Sequence, residues 1–230
     1  ATPLRTPLMI AGLGERAQAR LEEAFAGLRV QTFPSGRAGG GPREEINLVP
    51  GSAIGVQLAR GDVEITAIGT VTAIDDLGRF VAFGHPFLHA GSVDYIATGA
   101  RVLQTVPGTA MPFKIGAPLG VVGRVAEDRG AGIAGTFGER ADTVKVRIRV
   151  NDLDRGREEP FTVEVVNHAM LGVALITVAA FEAFDRALDR IGPGTSKVAL
   201  RVASAGAGRT LEREDMYYSE GDIAAESLVE

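Results

Sequence analysis

Cysteine and tryptophan are absent from this 230-residue chain, and aromatic residues make up only 6% of it. The absence of cysteine excludes disulfides, thiol nucleophiles and thiolate metal sites, although it leaves the cellular compartment open. Basic residues are also scarce, because 24 Lys and Arg stand against 29 Asp and Glu and give a net charge of −5. A nucleic-acid binder needs a clustered basic surface or stacking aromatics, so we expect no nucleic-acid partner.

Long hydrophobic runs and nucleotide-binding loops are missing as well. The longest nearly unbroken apolar stretch, residues 170–181, is too short to span a bilayer and is typical of a buried core helix, so we expect no membrane span in this chain. Residues 1–7 carry no apolar signal core, so any export signal is expected to have been removed or to lie outside this chain. Gly12-Leu-Gly14 lacks the third glycine of a dinucleotide loop, and we expect no cofactor.

The residues that are abundant indicate a β-rich fold. Hydrophobic residues make up 45% of the chain and charged residues 23%, as in ordinary globular proteins. Thirty glycines and eleven prolines indicate many tight turns, which short strands need between them. We predict a mainly β, α+β protein. The length allows one large domain or two small ones.

The first segment, residues 1–42, is predicted to be a small helical unit. Apolar residues recur at helical spacing from Glu15 to Leu28, which indicates a surface helix packed on a core. The stretch from Pro34 to Pro42 is rich in glycine and is predicted to be a flexible linker. We therefore expect a boundary near residue 42.

The middle segment, residues 43–166, contains two predicted hairpins. Short β-type runs between residues 47 and 83 are interrupted by a turn at residues 75–78. Farther on, apolar residues from Val144 to Val150 alternate with Lys145, Arg147 and Arg149, and a turn leads into residues 161–166. The basic row is interpreted as a solvated strand face rather than a binding stripe.

The last segment, residues 167–230, is predicted to be a long helix with further strands and an acidic tail, packed on the middle segment. The helix is expected from Met170 to Ile191, because its apolar stripe repeats at helical spacing and Gly192-Pro193 ends it. A strand follows near Val198. The tail from residue 212 to 230 is either a docking segment or the start of a further domain.

His85 is the residue with the clearest chemical potential. It directly follows a β-run and lies between Gly84 and Pro86, which lets the backbone turn sharply and direct the imidazole into a cleft. The alternative is a structural histidine whose ring bonds loop carbonyls. A zinc site of His85, His89 and Asp94 is not expected, because two histidines four residues apart share a face only on a helix.

Several glycine motifs surround His85 in a fixed order. These motifs are Pro50-Gly-Ser-Ala-Ile-Gly-Val56, Gly69-Thr-Val-Thr72, Arg79-Phe-Val-Ala-Phe-Gly-His85, Val122-Gly-Arg-Val125 and Gly132-Ile-Ala-Gly-Thr-Phe-Gly138. In their order and spacing the region of about residues 49–138 resembles the peptidase domain of the SpoIVB family of bacterial serine peptidases.

The resemblance implies a chymotrypsin-like β-barrel core in which His85 is the general base. Two features of the family are missing. The chain has no room for a PDZ domain between Leu58 and Val63, and it contains no Ser-Gly-Ser-Pro nucleophile loop. The nucleophile therefore has no assigned residue.

Substitutes for the missing nucleophile and for the orienting acid are few. Ser52 and Ser92 have small neighbours that suit an oxyanion site, but neither lies in the family's context. Asp94, Asp128 and Asp142 are candidate acids. Asp128 is interpreted as the partner of Arg129 in a turn ion pair.

We expect a SpoIVB peptidase-like domain of a bacterial exported, periplasmic or envelope protein that lacks a competent nucleophile. It would bind a peptide or protein partner as a binding or scaffolding module. The alternative is an active serine endopeptidase that uses His85 with a serine not identified in the sequence. Neither a metal nor a cofactor is expected.

Overall fold

The computed structural model describes residues 5–36, 38, 46–107, 113–204, 206 and 208–228. These residues form a mainly β, α+β protein, as predicted. Their strands are β1 (Thr6–Ala11), β2 (Val30–Pro34), β3 (Ala53–Gly61), β4 (Glu64–Ile74), β5 (Arg79–Ala82), β6 (Gly91–Val106), β7 (Phe113–Arg129), β8 (Gly132–Phe137), β9 (Thr143–Asp152), β10 (Arg157–Val166), β11 (Gly194–Ser204) and β12 (Arg209–Ser219). Their helices are α1 (Glu15–Ala24), α2 (Leu171–Leu188) and α3 (Ile223–Glu226).

Six of the strands form a closed ring. The large sheet has ten strands in the order β2-β1-β4-β5-β8-β7-β6-β3-β10-β9, and β3 pairs in addition with β4. The ring therefore closes on β3, in the order β3-β4-β5-β8-β7-β6-β3. Each neighbouring pair of strands in it is antiparallel. Closure leaves no free edge within the ring.

The inside of the ring is the core. Strand register brings Val56 of β3 opposite both Ala67 of β4 and Ala97 of β6, and all three side chains are buried. The largest fully buried side chains of the ring strands are those of Ile54, Leu58, Ile65, Phe80, Tyr95 and Ile133. Each such side chain contributes about 1.5–3 kcal/mol relative to an exposed one.

The N-terminal residues belong to this sheet, which differs from the separate unit predicted for residues 1–42. Strand β1 lies parallel to β2, with α1 as the connection, and antiparallel to β4, where Met9 lies opposite Thr66. Four consecutive buried residues, from Leu8 to Ala11, pack β1 into the core. The helix ends at Ala24 rather than Leu28, because the chain turns at Phe25. Most of the predicted linker, residues 37 and 39–42, lies outside the described residues.

Both predicted hairpins are present. In the turn between β4 and β5, the Asp75 carboxylate accepts hydrogen bonds from the backbone N–H groups of Leu77 and Arg79, and Gly78 has a φ of 74°. Strands β9 and β10 are neighbours in the sheet. Lys145, Arg147 and Arg149 lie on the exposed face of β9, as the alternation predicted.

The chain divides into two compact units. The first contains the described residues up to Arg147 together with Thr162–Ala179, and the second contains Ile148–Phe161 and the described residues from Ala180 onward. This division differs from the three predicted segments, because strands β9 and β10 and helix α2 each contribute to both units.

In the C-terminal part, helix α2 covers most of the range predicted from Met170 to Ile191. Residues of the acidic tail, which was predicted to be a docking segment or the start of a further domain, contribute to β12 and form α3. Strands β11 and β12 make a separate two-stranded sheet. Among the described residues, no helix is both long and apolar enough to cross a membrane.

Candidate functional site

The loop that carries His85 begins at the end of β5, at the rim of the closed ring. Phe83 and Gly84 both have a φ of 72°, a left-handed conformation that is rare for a bulky residue. The backbone N–H of Phe83 donates to the carbonyl of Thr70, which fixes the start of the loop on β4. The Phe83 ring then lies directly over Gly69, where a Cβ would come within 2.1 Å of the ring. Only glycine at position 69 permits this arrangement.

The imidazole of His85 is half-buried and held by its own loop. Its Nδ1 lies 2.8 Å from the carbonyl oxygen of Pro86, and its ring centroid lies 5.6 Å from that of Phe83. Because a carbonyl oxygen only accepts, Nδ1 must donate and Nε2 keeps its lone pair in the neutral ring. This tautomer is the one that a general base acting through Nε2 requires.

Asp128 anchors the rest of the loop. Its carboxylate is fully buried and accepts hydrogen bonds from the backbone N–H groups of Phe87 at 2.7 Å, Leu88 at 2.7 Å and Ala90 at 3.3 Å. The predicted turn ion pair with Arg129 is wrong. Alternate residues of a strand point to opposite faces, so Arg129 bonds Glu127 at 2.7 Å while Asp128 points into the core.

A buried tyrosine lies near this anchor. Burial and, second, the negative charge of Asp128 raise the pKa of Tyr95. Its hydroxyl has no hydrogen-bond partner within the described part of the chain. The ring lies edge-on to Phe87 at 6.0 Å and 6.2 Å from the ring of His168. His168 in turn accepts the backbone N–H of Leu171 at the start of α2. Next to the His85 loop the core is thus aromatic and contains the buried carboxylate of Asp128.

The other two candidate acids are engaged elsewhere. Asp94 accepts from Arg124 Nε at 2.7 Å through one oxygen and from the backbone N–H of Asp142 at 3.0 Å through the other. The hydrogen bond that Arg124 donates to Asp94 is the largest of the effects that raise the pKa of Arg124. The carboxylate of Asp142 accepts from Asn167 at 2.7 Å. These contacts link β6, β7 and the segment after β10, and none of them involves His85.

Neither candidate serine is joined to His85. The hydroxyl of Ser52 accepts the backbone N–H of Val49 at 3.0 Å within a turn, and Ser92 is exposed on β6. Across the described residues, the side-chain hydrogen bond of His85 is the one to Pro86, and no Ser or Thr hydroxyl bonds its ring. The imidazole therefore has no group to deprotonate within the described chain.

The zinc arrangement that was not expected from the sequence is also not assembled. His89 is exposed in a left-handed conformation with a φ of 61°, and its Nε2 lies beside Gly130. Asp94 is committed to Arg124. In the ranges that the structure describes, no group of three or more His, Cys, Asp or Glu side chains is placed to hold a metal ion.

A shallow groove lies on the outer face of the ring strands. It has a volume of about 430 Å³ and is lined by residues of β4, β5, β7 and β8 and by Asp75 of the turn between β4 and β5. Its apolar surface comes from three alanines, Ala73, Ala126 and Ala134, and from Ile74, Phe80 and Val81, of which Val81 is 45% exposed. Charged side chains at the rim already pair within the chain, as Arg79 does with Asp75.

Sequence reasoning located the His85 loop but missed its anchor. The three N–H groups that Asp128 binds are separated from it by about 40 residues, so no local pattern links them. The signal available was a single acidic residue at a position expected to point inward on a strand.

Comparison of the chain with protein-family models, curated proteins and solved structures gave no significant match.

Proposed function

We propose that this chain contains a SpoIVB-type peptidase-like domain that binds a peptide or protein without cleaving it. On this proposal the ring of six strands is a chymotrypsin-like barrel, and the protein acts as a binding or scaffolding module of a bacterial exported, periplasmic or envelope protein. The motifs around His85 suggest the family, and the closed antiparallel ring is an arrangement that such a barrel requires.

The hydrogen bonding of the His85 imidazole is the observation that carries the proposal. The imidazole is oriented as a general base would be, with Nδ1 donating to Pro86 and Nε2 available. A serine peptidase also needs a hydroxyl within hydrogen-bond distance of that nitrogen and backbone amides for the oxyanion. No described hydroxyl bonds His85. A role of this imidazole in loop structure and in binding therefore fits the geometry better than a role in hydrolysis.

The groove on β4, β5, β7 and β8 offers a surface for an extended peptide. Its alanines let a peptide backbone approach the sheet closely, while Val81 supplies apolar contact. Because the rim charges pair with each other, a neutral or apolar peptide is favoured over a highly charged one. This recognition would depend on shape and apolar contact.

A fluorophosphonate probe tests the absence of an activated serine. The probe labels a serine only where a base and an oxyanion site activate it. We expect no labelling of the chain under conditions in which chymotrypsin is labelled completely. Labelling that disappears in His85→Ala would instead establish the active endopeptidase, and mass spectrometry of the labelled peptide would name the nucleophile.

A displayed library of random peptides tests the binding role. We expect the immobilised chain to enrich apolar, extended peptides, and Ala134→Phe to weaken their binding at least tenfold because the larger side chain fills the groove. Ala24→Phe, at an exposed position of α1, is the matched control and should bind as wild type does. Equal binding by both variants would remove the groove from the proposal, and no enrichment would remove the binding role.

A further inference from the structure

Most residues of the two-stranded sheet of β11 and β12 are exposed. Each strand has eleven residues, and the register runs without interruption from Gly194 opposite Ser219 to Ser204 opposite Arg209. Isolated two-stranded hairpins are at best marginally stable in water, because they bury too little apolar surface. The segment around α3 contacts one end of this ribbon, where Ser196 Oγ lies 2.6 Å from Ser227 Oγ. The rest of the ribbon would gain stability from a further strand that pairs with it.

Large apolar side chains are exposed on this ribbon. Leu200 and Val202 of β11 are each 50% exposed, and Leu211 of β12, opposite Val202, is 60% exposed. Because directly opposite residues share a face, these three lie on one face together with Val198. The same face also carries Arg213 and Asp215, which pair with each other at 2.6 Å. Clustered exposed apolar residues of this kind mark interaction surfaces.

One edge of β11 also has no strand beside it. The sheet contains only β11 and β12, so among the described residues no further strand pairs with the other edge of β11. An edge of this kind pairs readily with a strand from another chain. The strand contains no proline, and the charged residues Lys197 and Arg201 are already paired with Glu214 and Glu212 of β12.

We propose that β11 pairs antiparallel with β11 of a second copy of this chain, with Leu200 opposite Leu200 of the copy. The ribbon of each copy then becomes half of a four-stranded sheet in the order β12-β11-β11-β12, related by a two-fold axis. Such an interface is self-complementary, as two-fold symmetric dimers require.

The residues of β11 select this register. Neighbouring residues of a strand direct their backbone groups to opposite edges, and two residues that lie opposite each other must both point toward or both point away from the partner strand. A residue therefore cannot lie opposite its own neighbour in the copy, and in a symmetric pairing of two identical strands one residue lies opposite the same residue of the copy. Centring on Leu200 places Val198 opposite Val202 of the copy on the apolar face, twice by symmetry. Centring on Ala199 instead would place Lys197 opposite Arg201, and two like-charged pairs would oppose association.

The opposite face is complementary in charge in the same register. Arg201 lies opposite the small side chain of Ala199 in the copy, and next to that alanine lies Glu214 of the same copy. Each Arg201 is therefore flanked by Glu212 of its own ribbon and, across the alanine, by Glu214 of the other. Across the four strands this row therefore reads Glu212, Arg201, Ala199 and Glu214, and no two like charges lie on neighbouring strands.

Cysteine cross-linking tests the register directly, since the chain contains no cysteine of its own. Opposite residues of antiparallel strands have Cα atoms about 4.5–5.5 Å apart, within the range of a disulfide. We expect Leu200→Cys to form a disulfide-linked dimer on mild oxidation with copper phenanthroline.

Val202→Cys is the matched control, because Val202 has the same exposure and lies on the same face. In the proposed register its two copies lie four residues apart along the strand, about 13 Å, and do not cross-link. Val198→Cys/Val202→Cys should restore cross-linking, because the two positions lie opposite each other between copies. Equal cross-linking of the two single variants, or none in Leu200→Cys, would overturn the proposal.

Sedimentation equilibrium of the cysteine-free chain tests association itself. We expect a concentration-dependent dimer, which Leu200→Lys weakens at least tenfold and Leu153→Lys leaves unchanged. Leu153 is a suitable control, because it is 90% exposed and lies in the turn between β9 and β10. A wild-type chain that stays monomeric at several hundred micromolar would overturn the proposal that β11 pairs with a second copy.

Discussion

Asp128 accepts a hydrogen bond from the backbone N–H of Phe87 at 2.7 Å although 41 residues separate the two in the chain. The backbone N–H groups of Leu88 and Ala90 donate to the same carboxylate. These three hydrogen bonds hold the loop between β5 and β6, where no strand pairing does so. A charged acceptor gives stronger hydrogen bonds than a neutral one, and a buried N–H without a partner is costly. The geometry of the His85 loop therefore depends on one buried carboxylate.

Replacement of this carboxylate should destabilise the protein strongly. Asp128→Ala is expected to lower the free energy of unfolding by about 3 kcal/mol, because buried N–H groups lose their acceptor. Urea denaturation followed by circular dichroism measures the change. Asp76→Ala, in the exposed turn between β4 and β5, should stay within about 0.5 kcal/mol of wild type. A similar loss in both variants would contradict the anchoring role.

The buried hydroxyl of Tyr95 should contribute little or nothing to stability. It has no partner among the described residues, so Tyr95→Phe is expected to leave the free energy of unfolding unchanged or to raise it by about 1 kcal/mol. Urea denaturation at neutral pH measures the effect. A loss above about 1 kcal/mol would mean that the hydroxyl has a partner in the folded protein.

Tyr95 also gives the stability of the protein a dependence on alkaline pH. Its folded-state pKa is raised above the unfolded value of about 10. The contribution of a raised pKa is fully present below the unfolded value and is lost as pH rises toward the folded value, because the unfolded chain then releases a proton that the folded chain retains. Between pH 8 and pH 11, wild type should therefore lose more stability than Tyr95→Phe, as measured by urea denaturation at each pH. If the free energy of unfolding fell equally with pH in the two proteins, Tyr95 would not contribute to the pH dependence of stability.

Gly69 and Phe83 should be energetically coupled. Gly69→Ala places a methyl group against the Phe83 ring and is expected to cost about 2 kcal/mol or more, since the ring cannot move without disturbing the left-handed backbone beneath it. In a Phe83→Ala background the same substitution should cost much less. A double-mutant cycle from urea denaturation measures this coupling, and additive effects would contradict the contact.

Helix α2 offers a test of the core that was already evident from the sequence. Phe181 is 1% exposed, so Phe181→Ala should lower the free energy of unfolding by about 3–5 kcal/mol. Val173→Ala on the same helix, where the side chain is 67% exposed, should cost less than about 1 kcal/mol. Similar losses in both variants, measured in guanidinium, would refute this assignment of the buried face.

The parts of the fold that were predictable follow regular patterns. Strands β4, β5, β9 and β10 show alternation and sharp turns, and α2 shows a helical stripe. Strand β1 escaped prediction because Leu8, Met9 and Ile10 are buried in succession, which removes the alternation. Strands β6 and β7 were missed for a related reason, since four register shifts between them break the alternation of their faces.

The candidate site divides in the same way. His85 could be located because Gly-His-Pro after a β-run is a local signal. The role of Asp128 depends on pairing between distant strands, so an adjacent arginine offered a plausible but wrong partner.

The closed ring also has a consequence for how the chain acquires its structure in time. The pairing of β3 with β6 brings Ile54 to Gly99, and the pairing of β5 with β8 brings Phe80 to Gly135. Strand β3 further needs β10, where Gly61 lies opposite Val163. Loops of this length must close before their contacts stabilise anything, which makes folding slow. A ribosome must therefore have delivered more than two thirds of the chain before β3 has all its neighbours, and until then its edge is exposed to the wrong partners.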